Sequence, residues 1–162
     1  MGGLTACTYP VPLALMTKHL PPARGRHGLR FSYSQWYPQW ESSTELSDSP
    51  FGQATLKITV HGGTAWEPLT DDELALIDSV VDELPVLLPL VSSKLREWDE
   101  SLQDKKLFRE TFNQPSICLF DRDEHPRKSW TFVVERLAFE GDNWGVHLEF
   151  VEKEFQRMWP GD

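Results

Sequence analysis

One apolar stripe runs through the middle of the chain and limits how the chain can fold. Its nine members recur at steps of three and four residues: Leu74, Ile77, Val81, Leu84, Leu88, Val91, Leu95, Trp98 and Leu102. This spacing places all nine on one face of a helical path. Directly before the stripe, Thr70 and Glu73 have the spacing of a capping box, in which each side chain accepts the other residue's backbone N–H. The sequence therefore predicts a helix that begins at Asp71.

Two prolines, Pro85 and Pro89, interrupt the stripe. A proline inside a helix removes a backbone donor and crowds the carbonyl four residues earlier, at a cost of roughly 3 kcal/mol. A straight helix over the whole stripe would also be about 50 Å long, which exceeds the roughly 40 Å diameter of a compact domain of this size. We therefore expect two helical segments, 71–84 and 86–102, that share one apolar face across the break.

Strand patterns lie on both sides of the helical stretch. Residues 53–61 alternate apolar and polar side chains, and the pair Gly62-Gly63 then marks a turn. Three segments after the helices also have strand character: 116–120, 129–139 and 144–150. The short, glycine-containing connection at residues 141–143 predicts that the last two of these strands form a hairpin.

Three other segments are less regular. Residues 41–50 are polar and rich in turn-forming residues, which is typical of a loop. Residues 103–112 favour a short helix, and residues 151–159 fit either a continued strand or a terminal helix. Because the C-terminal strands are joined by a turn too short for parallel strands, we expect an antiparallel sheet. The predicted fold class is α+β, with four to six antiparallel strands packed on a proline-kinked helix pair.

The N-terminal segment differs from the remainder of the chain. Residues 1–30 contain four prolines, four glycines and no sustained period, so we expect an irregular basic leader followed by one domain over residues 31–162. The basic part, residues 18–27, either contacts an acidic surface, including that of the chain's own body, or has no role. Cys7 and Cys118 have no disulfide or metal-ligand spacing. With no secretion signal and no run of eighteen apolar residues, we expect a cytoplasmic protein without a membrane span.

Charge is distributed unevenly along the chain. The net charge is −9, and residues 1–30 contribute +4 through four basic residues and no acid, which leaves −13 on residues 31–162. A body this acidic repels phosphate backbones, so we predict no nucleic-acid binding. The same charge attracts a basic protein partner or, alternatively, serves solubility alone.

The first part of the helical stretch holds the acids of a candidate partner-binding surface. They are Asp71, Asp72, Asp78, Asp82 and Glu83. The sequence has no Gly-x-Ser-x-Gly elbow, no glycine-rich phosphate loop and no HExxH spacing, which are the local signatures of common enzyme classes. This combination favours a non-catalytic interaction protein that offers an acidic surface to a basic partner.

The alternative is a small-ligand-binding protein or an enzyme. In the aromatic segment 31–40, Trp36 and Trp40 would stack on a sugar or a base if their rings were exposed, although aromatic side chains on one strand face also pack a core. The polar segment 121–125 adds four candidate ligand-binding residues: Asp121, Asp123, Glu124 and His125. Oxygen ligands suit a hard cation, but the segment lacks a calcium-loop glycine and contains Arg122. We therefore predict no metal and no cofactor.

Two histidines, His61 and His147, fall on the polar sides of predicted strands and are either neighbours in the sheet or, more commonly for such positions, simply exposed cross-strand residues. No HxH or HxxxH spacing accompanies them, so a metal site would depend on distant pairs. Cys118 lies between two apolar residues of a predicted strand, which indicates an inert, buried thiol.

The order of these elements is strand, Gly-Gly turn, capped acidic helix, proline, strand and a hairpin that ends on Trp144-Gly145-Val146. Over residues 51–150 the chain resembles a loose family of small, uncharacterised bacterial α+β domains, some of which resemble immunity proteins of toxin systems. The resemblance implies an α+β fold and, for the immunity-like members, binding to a protein partner. The family has no agreed active site to carry over.

Overall fold

The computed structural model describes residues 23–34, 37–62, 67–119, 129–136 and 144–161. These ranges contain eight strands: β1 (Ala23–Arg24), β2 (Arg30–Ser34), β3 (Gln39–Ser49), β4 (Gly52–His61), β5 (Phe112–Leu119), β6 (Ser129–Arg136), β7 (Trp144–Val151) and β8 (Glu154–Gly161). They also contain three α-helices: α1 (Asp71–Asp82), α2 (Leu84–Trp98) and α3 (Lys105–Thr111). A short 3-10 helix, Glu100–Gln103, connects α2 to α3.

The strands lie side by side in chain order. Strands β2 to β8 form a seven-stranded sheet, and the two-residue β1 pairs with β2. Neighbouring strands are antiparallel except β4 and β5, which are parallel. A parallel pair needs a long crossover, and the three helices lie in that connection. The α+β class is confirmed, but the sheet is mixed and has more strands than the predicted four to six.

The largest difference from the sequence prediction is β3. Residues 41–50 were expected to form a loop, yet β3 pairs with β4 from Gln39↔His61 to Ser49↔Gly52. Polar side chains are tolerated here because alternate positions face solvent, whereas Trp40 and Leu46 are buried. Asp48 adopts a positive φ of 54° where the register shifts. The undecided segment 151–159 contains the start of β8, which follows β7 after a two-residue turn.

The predicted helix start is confirmed at Thr70. Its Oγ1 accepts the backbone N–H of Glu73 at 3.2 Å, and its own N–H donates to Glu73 Oε2 at 2.7 Å. The helices α1 and α2 meet at Glu83, ahead of both prolines. Pro85 is therefore in the first turn of α2, where an N–H has no intrahelical acceptor to lose. The break was expected between residues 84 and 86, one to two residues later than observed.

One core lies between the helices and one face of the sheet. From the apolar stripe, six members are buried in it: Ile77, Leu84, Leu88, Val91, Leu95 and Leu102. Leu74 and Val81 are partly buried, and Trp98, the last residue of α2, remains 39% exposed. From the sheet, alternate residues such as Leu56, Ile58 and Val60 of β4 face the same core. None of the described helices is long and apolar enough to cross a membrane.

The opposite side of the sheet, called here the outer face, carries the intervening polar residues of the strands. Thr59, Cys118 and Thr131 lie beside one another across β4, β5 and β6 in the strand registers. Toward the β2 edge the outer face is exposed at Ser43 and Lys57. All the described helices pack on the other side of the sheet, yet Thr59, Cys118 and Thr131 on the outer face are each buried.

Residues 23–30 belong to the folded body. The strand β1 pairs with β2, Gly28 has a φ of +72° in the turn between them, and Leu29 is only 3% exposed. A positive φ is readily adopted by glycine, which lacks a Cβ atom. The predicted boundary between leader and domain, at residue 30, therefore falls at the first residue of β2 and separates the paired strands β1 and β2.

Candidate functional site

The five acids of the predicted partner surface have different environments. Asp71 and Asp72 are exposed in the first turn of α1, where carboxylates interact favourably with the helix dipole. The side chain of Asp82 is 52% exposed and that of Glu83 is 34% exposed. Asp78 differs from the others because it is only 5% exposed.

Asp78 is held by the turn before β2. Its Oδ1 accepts the backbone N–H of Arg26 at 2.9 Å, and its Oδ2 lies 3.7 Å from Arg26 Nε. A Cβ added at Gly25 would lie 2.9 Å from Asp78 Oδ1, so this close approach depends on glycine. A buried carboxylate needs such partners to offset its lost hydration. Asp78 is therefore an internal anchor, which corrects its assignment to the exposed partner surface.

Two more of these acids contact basic groups of the same chain. His27 Nε2 lies 2.9 Å from Asp82 Oδ1, and Lys153 Nζ lies 2.5 Å from Glu83 Oε1. Arg26 and His27 lie at the end of segment 18–27, and both contact acids of the same chain. For these two residues, the interpretation in which the basic segment contacts the chain's own body is confirmed. The basic composition of that segment was the sequence signal for these contacts. The sequence alone did not show which acids the basic side chains would contact.

The aromatic segment does not offer Trp40 as a stacking surface. Trp40 is 1% exposed, its indole N–H donates to the Glu67 carbonyl at 3.1 Å, and its ring packs edge-on against Tyr33 at 5.6 Å. These contacts make it a core residue, which corrects its assignment as a ligand-binding residue. The other members of the alternative site lie outside the described residues: Trp36, Asp121, Asp123, Glu124 and His125.

His61 and His147 share the outer face but are not neighbours. They lie in β4 and β7, with β5 and β6 between them. His61 Nε2 lies 3.2 Å from Thr59 Oγ1, and the His147 ring stacks on Trp159 with centroids 5.4 Å apart. Burial lowers the pKa of His147 below its ordinary value of 6.5. Of the two interpretations of these histidines, the one that makes them neighbours in the sheet is therefore wrong.

Cys118 is a buried thiol, as its apolar sequence neighbours indicated. It is 7% exposed, and Thr59 Oγ1 donates a hydrogen bond to its Sγ at 3.2 Å. Burial raises the pKa of the thiol above its ordinary value of 9.0, which opposes formation of the reactive thiolate. Within the described ranges, no group of three or more His, Cys, Asp or Glu side chains is placed to hold a metal ion.

A feature missed by sequence reasoning is an open groove on the outer face, across β2, β3 and β4. Its volume is about 450 Å³, and its lining includes Arg30, Ser32, Glu41, Ser43 and Lys57. The alternation of β2 and β4 contained the necessary signal. However, the groove became recognisable only once residues 39–49 were known to form the strand between them.

No family model, curated protein or solved structure matches the chain. The side-chain geometry of the chain itself therefore has to indicate the function. That geometry offers two surfaces of different character, the acidic side of α1 and the groove on the outer face.

Proposed function

We propose that the chain is a non-catalytic interaction protein that uses the acidic side of α1 to bind a basic segment of a protein partner. One observation carries this proposal: the same helix side already binds basic groups of its own chain. Arg26 contacts Asp78 and His27 contacts Asp82. The intramolecular contacts are a local example of the chemistry that a basic partner would use.

The helix geometry supports an extension of this contact toward the start of α1. Asp71, Asp78 and Asp82 are spaced by seven and four residues, which places them on one side of the helix. From Asp71 to Asp82 the stripe extends about 16 Å, at about 1.5 Å per residue. The turn that carries Arg26 and His27 already covers Asp78, so a partner would reach this stripe from its exposed end at Asp71. Asp71 and the neighbouring Asp72 are exposed and supply the part of the surface that a partner would contact first.

The charge of the whole body supports the same partner class. Residues 31–162 carry −13, and such a field accelerates encounter with a basic protein in a salt-dependent way. Immunity-like binding, in which an acidic protein associates with a basic toxin, is the form of this proposal that the resemblance over residues 51–150 suggests. The ligand-binding alternative at 31–40 and 121–125 has less support, because Trp40 is buried in the core and its ring cannot stack on a ligand.

The test is a pull-down from native lysate with the full chain and a double variant, Asp71→Asn with Asp72→Asn. The matched control, Glu110→Gln with Glu154→Gln, removes the same charge from exposed positions elsewhere. We expect the wild type and the control to retain a basic protein that the double variant does not retain. Moderate salt should weaken the binding of this protein. Equal recovery by both variants, or recovery insensitive to salt, would contradict the proposal.

A further inference from the structure

The groove on the outer face is formed by adjacent strands with a well-defined register. Ser32 of β2 lies beside Glu41 of β3, and Ser43 of β3 lies beside Lys57 of β4. Arg30 precedes Ser32 by two residues on the same face of β2 and also lines the groove. Because neighbouring strands are about 4.8 Å apart, the backbones that carry Arg30 and Lys57 are separated by about 10 Å. The two long cationic side chains therefore flank a space wide enough for one small anion.

The two cations of the groove lack the internal partners found for most other basic residues. Arg30 and Lys57 are exposed, and neither forms an ion pair with any described residue. Among the described residues, acids instead pair with six other basic side chains: Arg26, His27, Lys94, Lys106, Lys153 and Arg157. In a chain with 25 acids and 16 lysines and arginines, two unpaired cations on one groove provide local positive charge against an acidic background.

The hydrogen-bonding groups match an oxyanion. The guanidinium of Arg30 presents a planar set of donors, Lys57 adds a compact charge, and the hydroxyl groups of Ser32 and Ser43 supply neutral donors. Charge-assisted hydrogen bonds of this kind are the strong ones in phosphate recognition. Glu41 is the one acid in the lining, and Gln39 Nε2 donates to its Oε1. The groove therefore keeps a net charge of +1 from its three charged side chains.

We propose that this groove binds a small ligand through a single phosphate group held between Arg30 and Lys57. A second phosphate would approach Glu41, so the charge pattern favours a monophosphate. The groove lies on the outer face, whereas α1 packs on the other side of the sheet. Phosphate binding is therefore independent of the proposed protein contact, and either proposal can fail without the other.

The probe is inorganic phosphate, titrated into the full chain at constant ionic strength while backbone amide NMR shifts are recorded. We expect saturable shifts centred on Ser32, Ser43 and Lys57. Acetate at the same ionic strength is the comparison, because it carries a single charge and fewer acceptor oxygens. Shifts of equal size and affinity with acetate, or shifts spread over the whole chain, would overturn the assignment.

Matched variants make the test specific to the groove. Because a charge-assisted hydrogen bond is lost, Lys57→Gln and Arg30→Gln should each weaken phosphate binding by about tenfold or more. Lys105→Gln removes the same charge from an exposed position on α3 and should leave the affinity unchanged. Glu41→Gln should strengthen binding by removing a like charge. An equal effect of Lys57→Gln and Lys105→Gln would show only general charge screening and would overturn the proposal.

Discussion

The backbone N–H of Arg26 donates to Oδ1 of Asp78 at 2.9 Å, across 52 positions of sequence. This bond joins the turn between β1 and β2 to the buried side of α1. The guanidinium of Arg26 adds an ion contact to the other carboxylate oxygen at 3.7 Å. The acidic helix and the basic end of the N-terminal segment are therefore one structural unit.

We predict that Asp78→Ala lowers the free energy of unfolding by about 1–3 kcal/mol, because it leaves the Arg26 N–H without its acceptor and creates a small void. Asp72→Ala is the control, since Asp72 is exposed and its interaction with the helix dipole contributes less. Urea unfolding of both variants measures the difference. A smaller loss for Asp78→Ala than for Asp72→Ala would contradict the anchoring role.

A double-mutant cycle tests the same contact from the other side. Gly25→Ala is expected to destabilise the fold because the new Cβ would lie 2.9 Å from Asp78 Oδ1, whereas its contacts with Leu29 would be ordinary. In the Asp78→Ala background that collision is absent, so Gly25→Ala should cost less there than in the wild type. Strictly additive unfolding free energies would rule out a direct contact.

The capping box at the start of α1 predicts a loss of about 1 kcal/mol for Thr70→Ala. The variant removes the oxygen that accepts the Glu73 N–H. Thr70→Ser retains a hydroxyl group and should preserve most of the stability. Thermal and urea unfolding of the two variants provide the measurement, and equal losses would show that the hydroxyl contributes nothing.

The lowered pKa of His147 predicts a pH dependence with a defined sign. Its ordinary value is 6.5, and burial disfavours the charged imidazolium in the folded chain. Near and below that pH the unfolded chain therefore binds more protons than the folded chain, so stability falls as the pH is lowered through this range. His147→Gln should lose less stability over the same interval. An NMR titration that places the His147 pKa at or above 6.5 would contradict the prediction.

The buried thiol of Cys118 predicts selective protection from alkylation. In a Cys7→Ser background, iodoacetamide at mildly alkaline pH should modify Cys118 slowly in the folded chain and rapidly in denaturant, because burial raises its pKa and restricts access. Thr59→Val removes a hydrogen bond that favours the thiolate, so it should not accelerate the reaction. Rapid modification of the native chain would contradict this description.

Local patterns predicted the elements that local physics determines. The capping box at Thr70, the alternation of residues 53–61 and the hairpin pairing of β6 with β7 all depend on residues close in sequence. The strand β3 escaped detection because its polar composition matched a loop. Only the pairing with β4 and the burial of Trp40 and Leu46 distinguish it from one.

The surfaces were less predictable because they depend on long-range pairing. No local pattern shows that Arg26 reaches Asp78 or that Lys153 reaches Glu83, seventy positions away. The acids that seemed equivalent in sequence therefore separated into exposed, paired and buried ones. The groove has the same origin, since it needs three strands in register before Arg30 and Lys57 flank one space.

The single parallel pair has a consequence for how the chain reaches its native state. Strands β1 to β4 and strands β5 to β8 are two meanders whose internal pairings join consecutive strands, and among the described strands the β4–β5 pairing alone joins the two meanders into one sheet. Each meander can therefore assemble from nearby residues, whereas their union must close a connection of almost sixty residues, from Lys57 to Ser116. The slow step of folding should be the docking of the two halves under the helices, with the groove already formed in the first half.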